Sequence, residues 1–321
     1  MEKITFVAYD TLCTIRILEP PAGHASSLLS QAKELACSVQ RTLNMYDPGS
    51  ELSRLCAGYT PGIPAGISEM LYQFIRLNLE FSEQTGGAFD FTVGPLVKLW
   101  NFLAEHPEIP TDRELDRAMQ TVGYRHVRLS DGRREVTMDV PGMSLDPGAS
   151  GKGFALDLVV DFFKAEGVKN AVLDFGGNLF VLGHKPSFEG KREQWRVGIR
   201  HPDQKNFLGS VCLADRGIAT SSWYEHSFQK NGVVYHHLLD SRTGKPQETD
   251  ISSVSILSSE AVYTDLLSTA FFVMGFERGC ALAEQLKSGQ GIDVDYVVLK
   301  KDGSLAASEG ACFSEQRRMS S

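Results

Sequence analysis

The stretch DPGASGKGFALD, residues 146–157, sets an acid, three glycines and a lysine ahead of an apolar run with helical spacing. Gly148, Gly151 and Gly153 allow backbone N–H groups to approach an anion closely, at a helix start whose dipole favours negative charge. Lys152 adds a compact cation suited to phosphate. The spacing is not that of a P-loop, because Gly153 follows Lys152, and it is not G-x-G-x-x-G. A tight strand-to-helix turn with a solvated lysine accounts for the same residues, with Leu145 closing the strand and Ala155 to Phe163 continuing the helix.

A second group lies in SSEAVYTDLLSTAFFVMG. Asp265 and Thr269 are four apart on an apolar helix and share a face, with Ser268 beside them. A carboxylate among apolar neighbours needs a partner, since burying a lone charge is costly. Asp and Thr oxygens, completed by a backbone carbonyl and phosphate oxygens, suit magnesium. An arginine partner or a helix-capping role satisfies the same carboxylate. His236-His237 beside Asp240 offers a general base, imidazole titrating near neutrality. Asp90 in GGAFDFTVGP reads as a ligand contact or as a capped turn. Asp174-Phe175-Gly176-Gly177-Asn178 reads as a close backbone approach or an ordinary turn. No G-x-S-x-G, H-E-x-x-H or EF-hand pattern occurs.

These groups need elements to position them. Residues 4–18 predict a strand, and the apolar spacing of Leu28, Leu29, Ala32, Leu35, Ala36, Val39 and Leu43 predicts a helix after it. Asp47-Pro48-Gly49 ends that helix, and Ser50 caps a short one. A long helix over 67–84 stops at Gly86-Gly87, and another runs from a Thr111 cap towards Gly123. HVRLSDGRREVTMDV predicts a hairpin turning at Asp131-Gly132, and YEHSFQKNGVVYHHLLD one turning at Asn231-Gly232. AVLDF, FVLG, WRVGIR and ISSVSIL read as strands, two helices occupy 259–288, and DYVVLKKDGSLAAS closes as a hairpin. KPSFEGKREQ reads as a surface loop.

Hairpins and long helices mix without a βαβ rhythm, so the predicted class is α+β, with mixed, largely antiparallel sheets and packed helices. The expected organisation is one domain over 1–321, its helical N-terminal half and strand-rich remainder forming two lobes around one cleft. With 42% hydrophobic and 22% charged residues a substantial core is expected, and a net charge of −8 argues against a nucleic-acid partner. Six scattered cysteines show no C-x-x-C, so zinc is not expected. No apolar run reaches transmembrane length, and the N-terminus lacks the pattern of a signal peptide. The expectation is a cytoplasmic protein as written, and a periplasmic or membrane-anchored one if a leader has been trimmed.

Taken together and in order, the motifs resemble the FAD:protein FMN transferases, or ApbE-like flavin transferases. The match runs through Met45 to Ser53, Gly87 to Pro95, Asp146 to Asp157, Asp174 to Asn178, His237 to Gly244, and Thr264 to Ala270. The resemblance implies transfer of FMN from FAD to a Thr or Ser hydroxyl of an acceptor flavoprotein, releasing AMP, with Mg²⁺ (or Mn²⁺). The alternatives are an FAD pyrophosphatase giving FMN and AMP, or a non-catalytic FAD-binding protein. By the same resemblance Tyr9, Met45, Tyr46, Asp90, Asp146, Lys152, His237 and Val262 contact the flavin nucleotide. Asp265, Thr269 and the Ala149 carbonyl hold the metal, and His237, with Asp265, carries the chemistry. One departure is local: where the family has Met-Gly-Thr, this chain has Tyr9-Asp10-Thr11.

Overall fold

The computed structural model describes residues 1–19, 23–130, 132–186, 193–202 and 206–316. Eight strands build one sheet: Glu2–Ala8, Thr11–Ile17, Ala171–Phe175, Asn178–Leu182, Arg216–Ser222, Ile251–Ser258, Val294–Lys300 and Leu305–Ala307. They stand side by side in chain order, and every neighbouring pair is antiparallel. The predicted α+β class is what the chain adopts.

Among the described residues eight α-helices accompany the strands: α1 (Ala25–Leu43), α2 (Glu51–Gly58), α3 (Glu69–Gln84), α4 (Gly94–Trp100), α5 (Asp112–Met119), α6 (Gly151–Ala165), α7 (Ala261–Met274) and α8 (Phe276–Gln290). On one face of the sheet α1, α6, α7 and α8 pack in that order. Strand alternation divides the apolar side chains between the two faces. Phe180 and Leu182 join the helical core, whereas Val181 turns to a second core with Ile199, Val211 and Leu213. That second core lies under a small sheet of Trp195–Arg200, Phe207–Leu213 and Ser314–Glu315. The packing explains why α7 lacks a polar face: it is covered nearly all round, from Ala261 to Val273.

Local chemistry set most of the predicted boundaries. Ser50 accepts from the Ser53 amide at 3.0 Å, and Thr111 closes a full capping box with Glu114. Asn231 (φ 55°) and Gly232 (φ 78°) make the two-residue turn that pairs Lys230 with Val233. Two expectations change. Residues 4–18 are two strands, because Tyr9 (φ 53°) and Asp10 (φ 54°) turn the chain so that Ala8 pairs with Thr11. Leu145 does not close a strand: Glu135–Met138 ends before Pro141-Gly142, and Leu145 follows in a buried irregular segment. The 127–138 hairpin forms, but Asp131 of its expected turn lies outside the described residues, as do residues 187–192 of the KPSFEGKREQ loop.

The hairpin after Trp223 delivers two adjacent histidines to different neighbours, His236 to Phe272 and His237 to a cleft. His236 is 7% exposed, its ring edge-on to Phe272 at 5.5 Å, and burial lowers its pKa to about 4. The unfolded chain titrates near 6.5, so it takes up a proton in acid that the folded chain refuses. The stability cost is therefore absent above pH 6.5 and grows to about 3 kcal/mol as pH falls to 4. His236→Phe keeps the ring and removes the titration. Urea unfolding between pH 7 and 4 is expected to show a shallower acid loss in that variant; an unchanged slope would place the loss elsewhere.

Candidate active site

A cleft of about 900 Å³ opens where the turns of the sheet meet the first turn of α6 and the middle of α7. Tyr9, Met45, Tyr46, Asp90, Asp146, Ala149, Lys152, His237, Asp265 and Thr269 all line it. Blocks separated by up to 260 positions in sequence are thus brought to one cavity of ligand size. Val262 does not line it. Its amide donates to Asp157 Oδ2 at 2.8 Å, and its backbone lies against Gly153. The α6–α7 crossing keeps it out of the wall.

That crossing is where Asp265 is fixed. A Cβ on Gly153 would come within 2.6 Å of the Ala261 carbonyl oxygen and the Val262 Cα, so a glycine is required for the two helices to approach. Each helix then uses an acid to satisfy the other's first turn. Asp157 of α6 accepts from the amides of Ala261 (2.6 Å) and Val262 (2.8 Å), and Asp265 Oδ2 of α7 accepts from the Gly153 amide (2.7 Å). Asp265 Oδ1 accepts from Asn178 Nδ2. Among the described residues no lysine, arginine or histidine pairs with Asp265, although it is 6% exposed. The arginine partner allowed by the sequence is absent there.

Of the two readings of the glycine-rich turn, the tight turn accounts for the hydrogen bonds of its glycines. All three glycine amides are used internally: Gly148 to Asp146 Oδ1 (2.8 Å), Gly151 to the Pro147 carbonyl (2.7 Å), and Gly153 to Asp265. They build the turn and the crossing rather than facing an anion. Lys152 lines the cleft and makes no ion pair among the described residues. Burial raises the pKa of Asp146, against the Gly148 amide and the nearby Lys98 and Lys152.

His237 is held by an atom that the sequence reading missed. Its Nδ1 lies 2.9 Å from the Glu225 carbonyl. Burial, aided by His226, lowers its pKa to about 4, so the ring is neutral near pH 7. A carbonyl can only accept, hence Nδ1 carries the proton and Nε2 is the ring's basic atom. Asp240 does not orient it. That carboxylate grips Arg242 through Nε (2.9 Å) and a terminal nitrogen (2.8 Å), and the Arg242 amide as well. The signal for Glu225 was available in the hairpin. Continuing the register past Ser227↔His236 sets His226 opposite His237, and their rings meet at 5.4 Å.

The remaining expected contacts are of mixed kind. Asp90 is committed to local structure, accepting from the Thr92 amide and hydroxyl and the Tyr124 amide; burial raises its pKa. The capped-turn reading describes its carboxylate, and the residue still borders the cleft. Tyr46 is 60% exposed at the cleft edge, and Met45 is buried behind it. Tyr9 stacks on Phe175 at 5.9 Å and donates to the Ala36 carbonyl at 2.7 Å, which holds a positive φ that tyrosine rarely adopts.

The pattern of the ApbE family matches residues 9–292. The chain belongs to the ApbE family. The FAD:protein FMN transferase of Treponema pallidum is 35% identical over 94% of this chain and 84% of its own length. The FAD:protein FMN transferase of Vibrio cholerae is 31% identical over 84% and 79%. Among solved structures, the ApbE protein of Thermotoga maritima aligns with TM-score 0.84 at 27% identity, covering 96% of this chain and 97% of that one. The flavin transferase ApbE of V. cholerae aligns with TM-score 0.80 at 30% identity, covering 96% and 98%. In this ApbE-family chain Asp10 has a φ of 54°, one that glycine adopts without strain.

Proposed function

We propose that this protein transfers FMN from FAD to a Thr or Ser hydroxyl of an acceptor flavoprotein and releases AMP. One observation carries the reading: a single cleft holds a neutral histidine with its basic nitrogen defined, together with a lysine and a buried carboxylate that make no ion pair among the described residues. We read residues 1–321 as one domain, since the same sheet takes strands from both ends of the chain.

The chemistry assigns each residue a task. The acceptor oxygen bonds to the FMN phosphorus, the bond from that phosphorus to the bridging oxygen breaks, and AMP departs with the bridging oxygen. Nε2 of His237 takes the hydroxyl proton. Lys152 supplies a positive charge beside the phosphates. Tyr46 and Met45 provide a polarisable and apolar wall for the ring system.

The residues fit a hard divalent cation. Asp265 is a buried carboxylate with two neutral donors, and Thr269 and Ala149 border the same cleft with oxygen atoms. Among the described residues no group of three or more His, Cys, Asp or Glu side chains is placed to hold a metal. Phosphate oxygens of the substrate would then complete the coordination of Mg²⁺ or Mn²⁺. Bound there, the ion would neutralise charge on the pyrophosphate oxygens.

The reading is tested by incubating the protein with FAD, Mg²⁺ and an acceptor carrying the hydroxyl, followed by intact-mass measurement. A gain of one FMN phosphoester is expected; an unlabelled acceptor with intact FAD would refute it. Lys152→Ala should weaken FAD binding by about ten- to hundredfold, the worth of a hydrogen bond to a charged group. Flavin fluorescence titration reads the change, and an unaltered affinity would return Lys152 to solvent.

A further inference from the structure

Asn178 opens the strand that follows the Gly176-Gly177 turn, is 6% exposed and borders the cleft. Its amide nitrogen donates to Asp265 Oδ1 across 87 positions of sequence. The other carboxylate oxygen is held by a backbone amide at the helix crossing, which no side-chain change at Asn178 alters. The Asn178 bond therefore fixes what the crossing leaves free, the rotation of the carboxylate about its own axis.

The bond is neutral. A lysine or arginine at 178 would orient Asp265 and also cancel its charge; an amide orients it and leaves the charge available to the cleft. The turn that carries Asn178 is itself clamped. A Cβ on Gly176 would come within 2.3 Å of Thr11 Oγ1, so the N-terminal hairpin rests directly on the turn. Gly177 donates to Asp174 Oδ1 at 3.0 Å from the other side. The N-terminal hairpin, the glycine turn, Asn178 and Asp265 form one line of support.

We propose that Asn178 is a positioning residue for the cation-binding carboxylate, setting the orientation in which Asp265 meets a divalent ion. The proposal rests on the cation reading given above. Its test uses Mn²⁺ as the probe on the full chain, titrated by electron paramagnetic resonance in the presence of FAD, with FAD affinity in EDTA measured alongside. Asn178→Ala is expected to weaken Mn²⁺ about ten- to hundredfold, the usual cost of losing an outer partner of a metal ligand. Asn178→Gln, which keeps an amide donor, should recover part of that loss and serves if the alanine variant does not fold. FAD affinity in EDTA should stay within about twofold in both, since the effect runs through the metal ligand.

Wild-type Mn²⁺ affinity in Asn178→Ala, with binding lost in Asp265→Ala, overturns the role of Asn178 alone. Undiminished Mn²⁺ binding in Asp265→Ala overturns the cation reading first. FAD affinity in EDTA falling in parallel with Mn²⁺ would make Asn178 a flavin contact or a fold residue, and also overturns the proposal.

Discussion

Asp265→Ala is expected to reduce FAD cleavage by about a thousandfold or more, because it removes the carboxylate that we propose as the charged ligand of the cation. The figure follows from several kcal/mol of charge stabilisation at a phosphoryl centre, each 1.36 kcal/mol being tenfold in rate. The substitution also strips the Gly153 amide and Asn178 Nδ2 of their acceptor. Two stranded donors cost about 1–3 kcal/mol each, offset by removal of a buried charge, so folding must be checked separately. FAD affinity in EDTA supplies that check. Thr269→Ala should cost less, because water can replace a neutral oxygen ligand. The measurement is AMP release with excess Mg²⁺. Full activity in Asp265→Ala, or in wild type under EDTA, would remove the metal from the mechanism.

The residues around Asp265 show how far sequence reasoning reaches. The i,i+4 pairing of Asp265 with Thr269 is a property of any helix, and it was legible at once. The neutral donors that hold the carboxylate were not. Asn178 reaches it from another layer, and the Gly153 amide is available because α6 and α7 cross at a position without a Cβ. Glycines read as an anion cradle are instead packing and turn residues, a distinction that depends on what lies opposite them. Conversely, the Tyr9-Asp10 turn escaped notice because neither residue carries the Gly or Asn signal of a type I′ hairpin. Its geometry is imposed by the stacking of Tyr9 on Phe175 and its bond to α1. Capping residues and the Asn231-Gly232 turn were legible because their energetics are local; tertiary approach is not.

The same contrast separates the two groups beside the candidate base, the Asp240 carboxylate and the Glu225 carbonyl. Asp240 was the neighbour in sequence, but strand geometry turns it to Arg242, with which it makes a bidentate pair. The group that orients His237 is a backbone carbonyl, so residue identity at position 225 carries no signal for it. What fixes the partnership is hairpin register, an arithmetic of positions rather than of side chains.

His237→Ala is expected to lower FMN transfer to a protein hydroxyl by about a hundred- to ten-thousandfold, the range spanned by a positioned general base. A protein hydroxyl has a high pKa and arrives in a fixed orientation, so the loss of Nε2 leaves its proton without a place to go. Water reaches the phosphorus from several directions, and the residues that bind the phosphates are untouched. Slow FAD hydrolysis should therefore fall much less. The two rates are measured side by side, as acceptor mass gain and as AMP release without acceptor. The low pKa of His237 adds a pH signature. With the ring neutral above a pKa of about 4, transfer should show no titration by this group between pH 6 and 8 and should fail only as acid protonates Nε2. A surface histidine would instead titrate near 6.5. Equal losses of transfer and hydrolysis in His237→Ala would assign the ring to flavin binding or to the hairpin. Brisk AMP release by the wild type with an unlabelled acceptor would make the protein a pyrophosphatase.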